Sequence, residues 1–284
     1  MPAPKIIECP RDALQGLKVF VPTDKKIEWI NSLLKVGFDT LDFGAFVSPK
    51  AVPQMSDTEA VLEGMDLSVS RTKLLAIVAN IKGAIRAGIY SQIRYLGFPL
   101  SLSETFQLRN TNKTIAQAKT EMYGIQDLCL KNDQELVVYL SMGFGNPYGD
   151  PFHPEMVYAL VEELSGKGIR TLSFADTVGI AQKNDIMELV ANSAPHFPEV
   201  EFGVHLHSRT EHSREKIQAA YDAGCRRFDG VINGKGGCPM AKDELMGNIP
   251  TETIITVLED KGHVLNFNAE ALEQGKKIAG EIFR

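Results

Sequence analysis

Lys73-Leu74-Leu75-Ala76-Ile77-Val78-Ala79 is an apolar run in which polar and apolar residues do not alternate. A strand with one wet face alternates. A strand buried on both faces does not, and burial on both faces is the habit of parallel sheets covered by helices. Working outward from this run, seven further strands are expected at 5–9, 40–46, 92–98, 135–142, 171–175, 201–207 and 227–232. Between them lie stretches of helical period. Ile27, Ile30, Leu33 and Leu34 follow the opening Pro22-Thr23, and further helices are expected at 57–65, 82–87, 114–130, 154–167, 184–192 and 211–223. Helices at 251–259 and 269–282 follow the last strand. Pro10 to Gln15 and Pro99 to Asn112 read as polar loops.

Eight strand–helix alternations imply an α/β fold, a closed (β/α)8 TIM barrel with the C-terminal helices closing the barrel. There is no internal repeat or linker, so residues 1–284 are expected to form a single catalytic domain. An open doubly wound sheet is disfavoured because the first strand carries no glycine-rich phosphate fingerprint.

Net charge is −6, with 44% hydrophobic and 23% charged residues. That composition belongs to an ordinary globular protein and argues against nucleic acid or an anionic membrane surface as the main partner. No apolar run is long enough to span a bilayer, and no signal or transit segment is evident. Cys9, Cys129, Cys225 and Cys238 are scattered without a CxxC pair, as expected for free thiols in a reducing cytoplasm.

Active sites of such barrels lie at the C-terminal ends of the strands. Those ends carry Arg11 and Asp12, Asp42, Tyr148, Asp176, His205 and His207, and Cys238. His205 and His207 are two apart on a strand, so both imidazoles point to one face and can hold one divalent ion. Strands 1 and 7 open onto the same mouth, which makes Asp12 the expected carboxylate partner. A mixed nitrogen and oxygen set suits Mg²⁺, Mn²⁺, Zn²⁺ or Fe²⁺. Gly234-Lys235-Gly236-Gly237-Cys238-Pro239 is a loop whose backbone can approach a ligand, with a thiol at its far end. His212 lies close to this mouth; His153, His196 and His263 read as surface residues, and Cys9 as packing.

These residues resemble 3-hydroxy-3-methylglutaryl-CoA lyases, within the TIM-barrel metallolyases that also include isopropylmalate and homocitrate synthases. The resemblance rests on Pro10-Arg11-Asp12-Ala13-Leu14-Gln15, the run Phe46 to Met55, Asn146-Pro147-Tyr148, Asp176-Thr177-Val178-Gly179, His205-Leu206-His207, Gly236-Gly237-Cys238-Pro239 and Gly247-Asn248. It implies metal ligands at Asp12, His205, His207 and Asn248 for Mg²⁺ or Mn²⁺. It also implies a catalytic arginine at Arg11, a loop thiol at Cys238, and supporting or base-assisting places for Asp42, Asp176 and Gln15. Tyr148, Gly236, Gly237 and Gln15 are expected to line the substrate.

The chain departs from the family's pattern at Asp42, where a glutamate is usual, at Ala45, at Ser208-Arg209-Thr210-Glu211 and at Thr253. The implied reaction is metal-dependent cleavage of an acyl-CoA substrate to acetyl-CoA and acetoacetate, as in leucine catabolism. The base would be one of the two histidines, Asp42 or Asp176. A lyase for a related 3-hydroxyacyl-CoA, a single-domain condensing enzyme and a non-catalytic metal-binding barrel are the competing readings. A cytoplasmic homodimer is the expected form.

Overall fold

The computed structural model describes residues 3–237 and 246–284. Its strands are β1 (Lys5–Glu8), β2 (Thr40–Phe46), β3 (Lys73–Val78), β4 (Ile93–Ser101), β5 (Glu135–Ser141), β6 (Thr171–Asp176), β7 (Glu201–Ser208) and β8 (Arg227–Gly230). Each pairs in parallel with its sequence neighbours. β1 pairs with β8 and β6 with β7, so the eight strands close into a barrel.

The helices are α1 (Pro10–Gln15), α2 (Thr23–Leu34), α3 (Thr58–Glu63), α4 (Ile81–Ala87), α5 (Glu104–Thr111), α6 (Ile115–Lys131), α7 (Pro154–Gly166), α8 (Lys183–Ser193), α9 (Thr210–Asp222), α10 (Thr251–Asp260) and α11 (Ala269–Ile282). The main core lies between barrel and helices, where Leu74, Ala76 and Val78 point outward. A second cluster of Leu75, Tyr95, Val137 and Tyr139 fills the barrel interior. The run that reads as buried on both faces therefore serves both layers. α11 closes the ring of helices against α2, where Trp29 Nε1 donates to the Gly275 carbonyl at 3.1 Å.

Three expectations are corrected. Pro10 to Gln15 is a helix rather than a loop. Proline at its first position lacks an N–H that would be unsatisfied there anyway. β4 runs through Pro99 to Ser101, with Pro99 in register opposite Tyr139, and α5 follows it, capped by the Ser103 side chain. β8 ends at Gly230 because the chain turns at once, with Asn233 in the left-handed region (φ 61°).

A ninth strand was not expected either. β9 (Gly247–Asn248) pairs antiparallel with β7, placing Asn248 opposite His207 and Gly247 opposite Ser208.

Candidate active site

β1 delivers the chain to α1, and α1 presents Arg11, Asp12 and Gln15 at the mouth of the barrel. Arg11 reaches across to the end of β2. Its Nε donates to Asp42 Oδ2 at 3.0 Å and its Nη2 to the same oxygen at 2.6 Å. Nη1 donates to Asp12 Oδ1 (3.0 Å) and to Gln15 Oε1 (2.8 Å), and Gln15 Nε2 donates to Asp12 Oδ1 (2.6 Å). Asn248 Nδ2 donates to Asp12 Oδ2 at 2.7 Å. Arg11, Asp12 and Asp42 are all buried.

The two histidines of β7 face this cluster. Ligand atoms of Asp12, His205 and His207 all lie within 4.8 Å of one another. His207 Nδ1 is 2.9 Å from the Asp176 carbonyl. A carbonyl only accepts, so Nδ1 carries the proton and Nε2 keeps its lone pair. That Nε2 is buried with no hydrogen-bond partner. A buried, unpaired nitrogen is costly unless something binds it, and a metal ion meets that need. His205 Nδ1 is 3.1 Å from Asp229 Oδ2, which leaves its Nε2 for the same purpose. One carboxylate, two imidazoles and one amide therefore fit a divalent cation.

The electrostatics divide the carboxylates. Burial works to raise Asp12, but Arg11 first, and then His205, His207 and Asn248, hold it down to about 2. Burial dominates at Asp42 and pushes it up to about 6 despite Arg11. Burial opposes the charged form of both histidines. Asp229 and Asp12 outweigh it at His205, whose pKa is raised; at His207 burial prevails and the pKa is lowered.

The structure thus gathers Arg11, Asp12, Gln15, Asp42, His205, His207 and Asn248. Gly236 and Gly237 lie against them, both at positive φ (75° and 128°). A Cβ on Gly236 would stand 2.5 Å from Ala13 Cα, and one on Gly237 would stand 2.9 Å from the Met246 carbonyl oxygen, next to the His207 ring. Only glycine allows both that conformation and that approach.

Asp176 contributes through its carbonyl. Its carboxylate is taken by Lys216 Nζ (2.9 Å) and the amides of Ile180 (2.9 Å) and Ala181 (3.2 Å). Tyr148 is held apart, stacked on Phe106 with Arg109 over its ring. Cys238 lies outside the described residues. His212 is exposed and pairs with Glu215, and His263 is half-buried against Tyr221.

Sequence reasoning missed Asp229, Lys216 and Glu8. Alternation along β8 was the available signal for Asp229. Arg227 and Asp229 are two residues apart on the face that points into the barrel, and an interior charge pair asks for a purpose.

The HMGL-like family model matches residues 4–278. The hydroxymethylglutaryl-CoA lyase YngG of Bacillus subtilis is 31% identical, covering 98% of this chain and 93% of that protein. A 3-hydroxy-3-isohexenylglutaryl-CoA/hydroxymethylglutaryl-CoA lyase of Pseudomonas aeruginosa is 29% identical over 88% of this chain and 82% of its own length. Among solved structures, an HMG-CoA lyase from Acinetobacter baumannii in complex with coenzyme A and 3-methylmalate superimposes with a TM-score of 0.90. It is 32% identical, and the match covers 99% of this chain and 91% of that one.

Proposed function

This chain belongs to the HMGL-like family, and from that premise we propose that it is a divalent-metal-dependent carbon–carbon lyase. Its substrate is 3-hydroxy-3-methylglutaryl-CoA and its products are acetyl-CoA and acetoacetate. The observation that carries the reading is the bond-free Nε2 of His207, buried beside Asp12, His205 and Asn248. Those four residues are the proposed ligands of Mg²⁺ or Mn²⁺. When bound, such an ion supplies Lewis acidity to the substrate's oxygen atoms.

The chain's own residues carry the proton and charge movements. Asp42, raised to about 6, is ionised at neutral pH yet basic enough to take the tertiary hydroxyl proton. The bond between C2 and C3 then breaks, its electrons passing to the thioester, and the hydroxyl carbon becomes the ketone of acetoacetate. Arg11 opposes the negative charge on the thioester oxygen. Its Nη2 carries two hydrogens and makes one bond, to Asp42, so a donor remains for this task. Cys238 is the proposed proton source for C2, completing acetyl-CoA. Asp176 positions His207, and Gln15 positions Asp12 and Arg11. Gly236 and Gly237 let the substrate approach the backbone, and Tyr148 is assigned to the outer part of the substrate.

The Pseudomonas relative's name supports a second reading, a lyase for a 3-hydroxyacyl-CoA with a longer branch. One experiment tests both. Acetyl-CoA release, the product common to every member, is measured over a panel of 3-hydroxy-3-alkylglutaryl-CoA thioesters, with Mg²⁺, with Mn²⁺ and after EDTA. Turnover of the methyl compound that EDTA abolishes and metal restores is the expected result. Turnover that survives EDTA would overturn the metal dependence, and preference for a longer branch would establish the second reading. Among the described residues no helix is long and apolar enough to cross a membrane. We place the protein in the cytoplasm as a homodimer, with residues 1–284 as one catalytic unit. Light scattering tests the dimer.

A further inference from the structure

The barrel interior beneath the two histidines holds charge that the reaction does not use. Arg227 and Asp229 lie on β8 and face inward, in register with Gly203 and His205 of β7. Arg227 is wholly buried. Its stem lies where Gly203 has no side chain: a Cβ there would stand 3.0 Å from Arg227 Cδ. Its guanidinium sits 5.5 Å from the Tyr95 ring, with Glu201 at 3.5 Å from Nη1. Nε and Nη2 have no hydrogen-bond partner.

Asp229 is also buried. Its Oδ2 is 3.1 Å from His205 Nδ1, and its Oδ1 has no partner. The Tyr139 ring stands edge-on to His205, with centroids 5.8 Å apart, so His205 is gripped on two sides. Burial works against the Arg227 charge, and Asp229 leads the groups that outweigh it.

A buried carboxylate in contact with a neutral imidazole accepts a hydrogen bond from the ring N–H. Cys9 is close enough to join His205 and Asp229 in a ligand group. Its thiol is turned instead toward the Ile7 carbonyl, 3.6 Å away, and His205 and Asp229 already bond each other directly. The group is an aspartate–histidine pair rather than a second metal site.

We propose that Asp229 is a positioning residue of the metal centre. It fixes His205 as the Nδ1–H tautomer so that Nε2 stands free beside Asp12. This rests on the metal reading above. It also makes the two histidines unlike: a carboxylate backs His205, whereas a neutral backbone carbonyl backs His207.

The test uses metal-free enzyme labelled with ¹⁵N-histidine, and Mn²⁺ titration by calorimetry of the wild type, Asp229→Asn and Asp229→Glu. At a pH where its ring is neutral, wild-type His205 is expected to carry its single proton on Nδ1. Asparagine can turn its NH₂ toward Nδ1 and favour the wrong tautomer, as the same change does in the serine-protease triad. Asp229→Asn should therefore weaken Mn²⁺ binding about 10–100-fold. Turnover at saturating Mn²⁺ should change far less, and Asp229→Glu should recover part of the affinity. A merely structural role would not separate affinity from turnover in this way.

A neutral wild-type His205 whose single proton sits on Nε2, or unchanged Mn²⁺ affinity in folded Asp229→Asn, would overturn the proposal. The tautomer measurement needs no variant, so a failure of Asp229→Asn to fold leaves the test standing. If the wild type binds no Mn²⁺, the metal reading fails and this inference falls with it. Binding that is intact in the wild type and indifferent to residue 229 sinks the inference alone.

Discussion

Asn248 stands in register opposite His207, across the antiparallel pairing that β9 makes with β7, and its Nδ2 reaches Asp12 Oδ2 at 2.7 Å. One strand pairing and one side chain thus tie together proposed ligands from three remote parts of the chain. The pairing fixes where the amide sits, and the amide fixes one face of Asp12.

Asn248→Ala removes the amide and frees Asp12. Mn²⁺ affinity should fall about 10–100-fold, the usual penalty for losing a residue that ligates or orients a metal site. Calorimetric titration of the metal-free protein measures it. Unaltered affinity would take Asn248 out of the ligand set.

How much of this was legible follows from length scales. Strands such as β3 announce themselves because six or more residues repeat one pattern, and eight of them leave few arrangements open. His205 and His207 were legible because a strand's period puts them on one face. β9 was not, since two residues have no period. α1 was not, since six residues headed by proline look like a turn. Asp229 and Lys216 were hidden for another reason. Each acts on a histidine of β7 or its neighbour through a contact between separate elements, Asp229 from the adjacent β8 and Lys216 from α9. The role of Asp176 toward His207 lies in a backbone carbonyl, which no side-chain pattern reveals.

Arg11 bonds Asp42, Asp12 and Gln15 at once. Arg11→Gln removes the charge proposed to oppose the enolate oxygen and leaves the four proposed ligands in place. kcat should fall about 10²–10³-fold, the loss typical of one oxyanion donor. Mn²⁺ should still bind, as calorimetry will report. Turnover near the wild-type rate would exclude Arg11 from the chemistry.

Asp42 is raised to about 6 by burial. Its base form is present above that pH and lost below it, so kcat/KM should rise with pH and level off after a limb near 6. Asp42→Asn should abolish the limb and lower kcat about 10²–10⁴-fold, the range for general bases. A wild-type profile without that limb would assign the base elsewhere.

Cys238→Ala tests the proposed proton donor. Acetyl-CoA formation should lose most of its rate while Mn²⁺ affinity is retained, because the thiol is not among the proposed ligands. Unchanged kinetics would leave the protonation of C2 to another group.

Glu8 ends β1 and supports both stems of the chain beyond β8. Its Oε1 accepts from the Ile232 amide at 2.9 Å and its Oε2 bonds the Thr251 hydroxyl at 2.5 Å. Burial pushes its pKa from 4.5 up to about 8. The folded protein therefore keeps a proton that the unfolded chain releases, and between those values the unfolded state binds fewer protons. Stability from this group is full below about 4.5, declines as pH rises and levels off above about 8, a loss on the order of 3–5 kcal/mol. Glu8→Gln keeps the shape of the protonated acid, accepting from Ile232 and donating to Thr251, and cannot ionise. Urea midpoints at pH 6 and pH 9 should fall for the wild type and stay closer together for the variant. Equal pH slopes in the two proteins would mean that Glu8 is ionised in the fold.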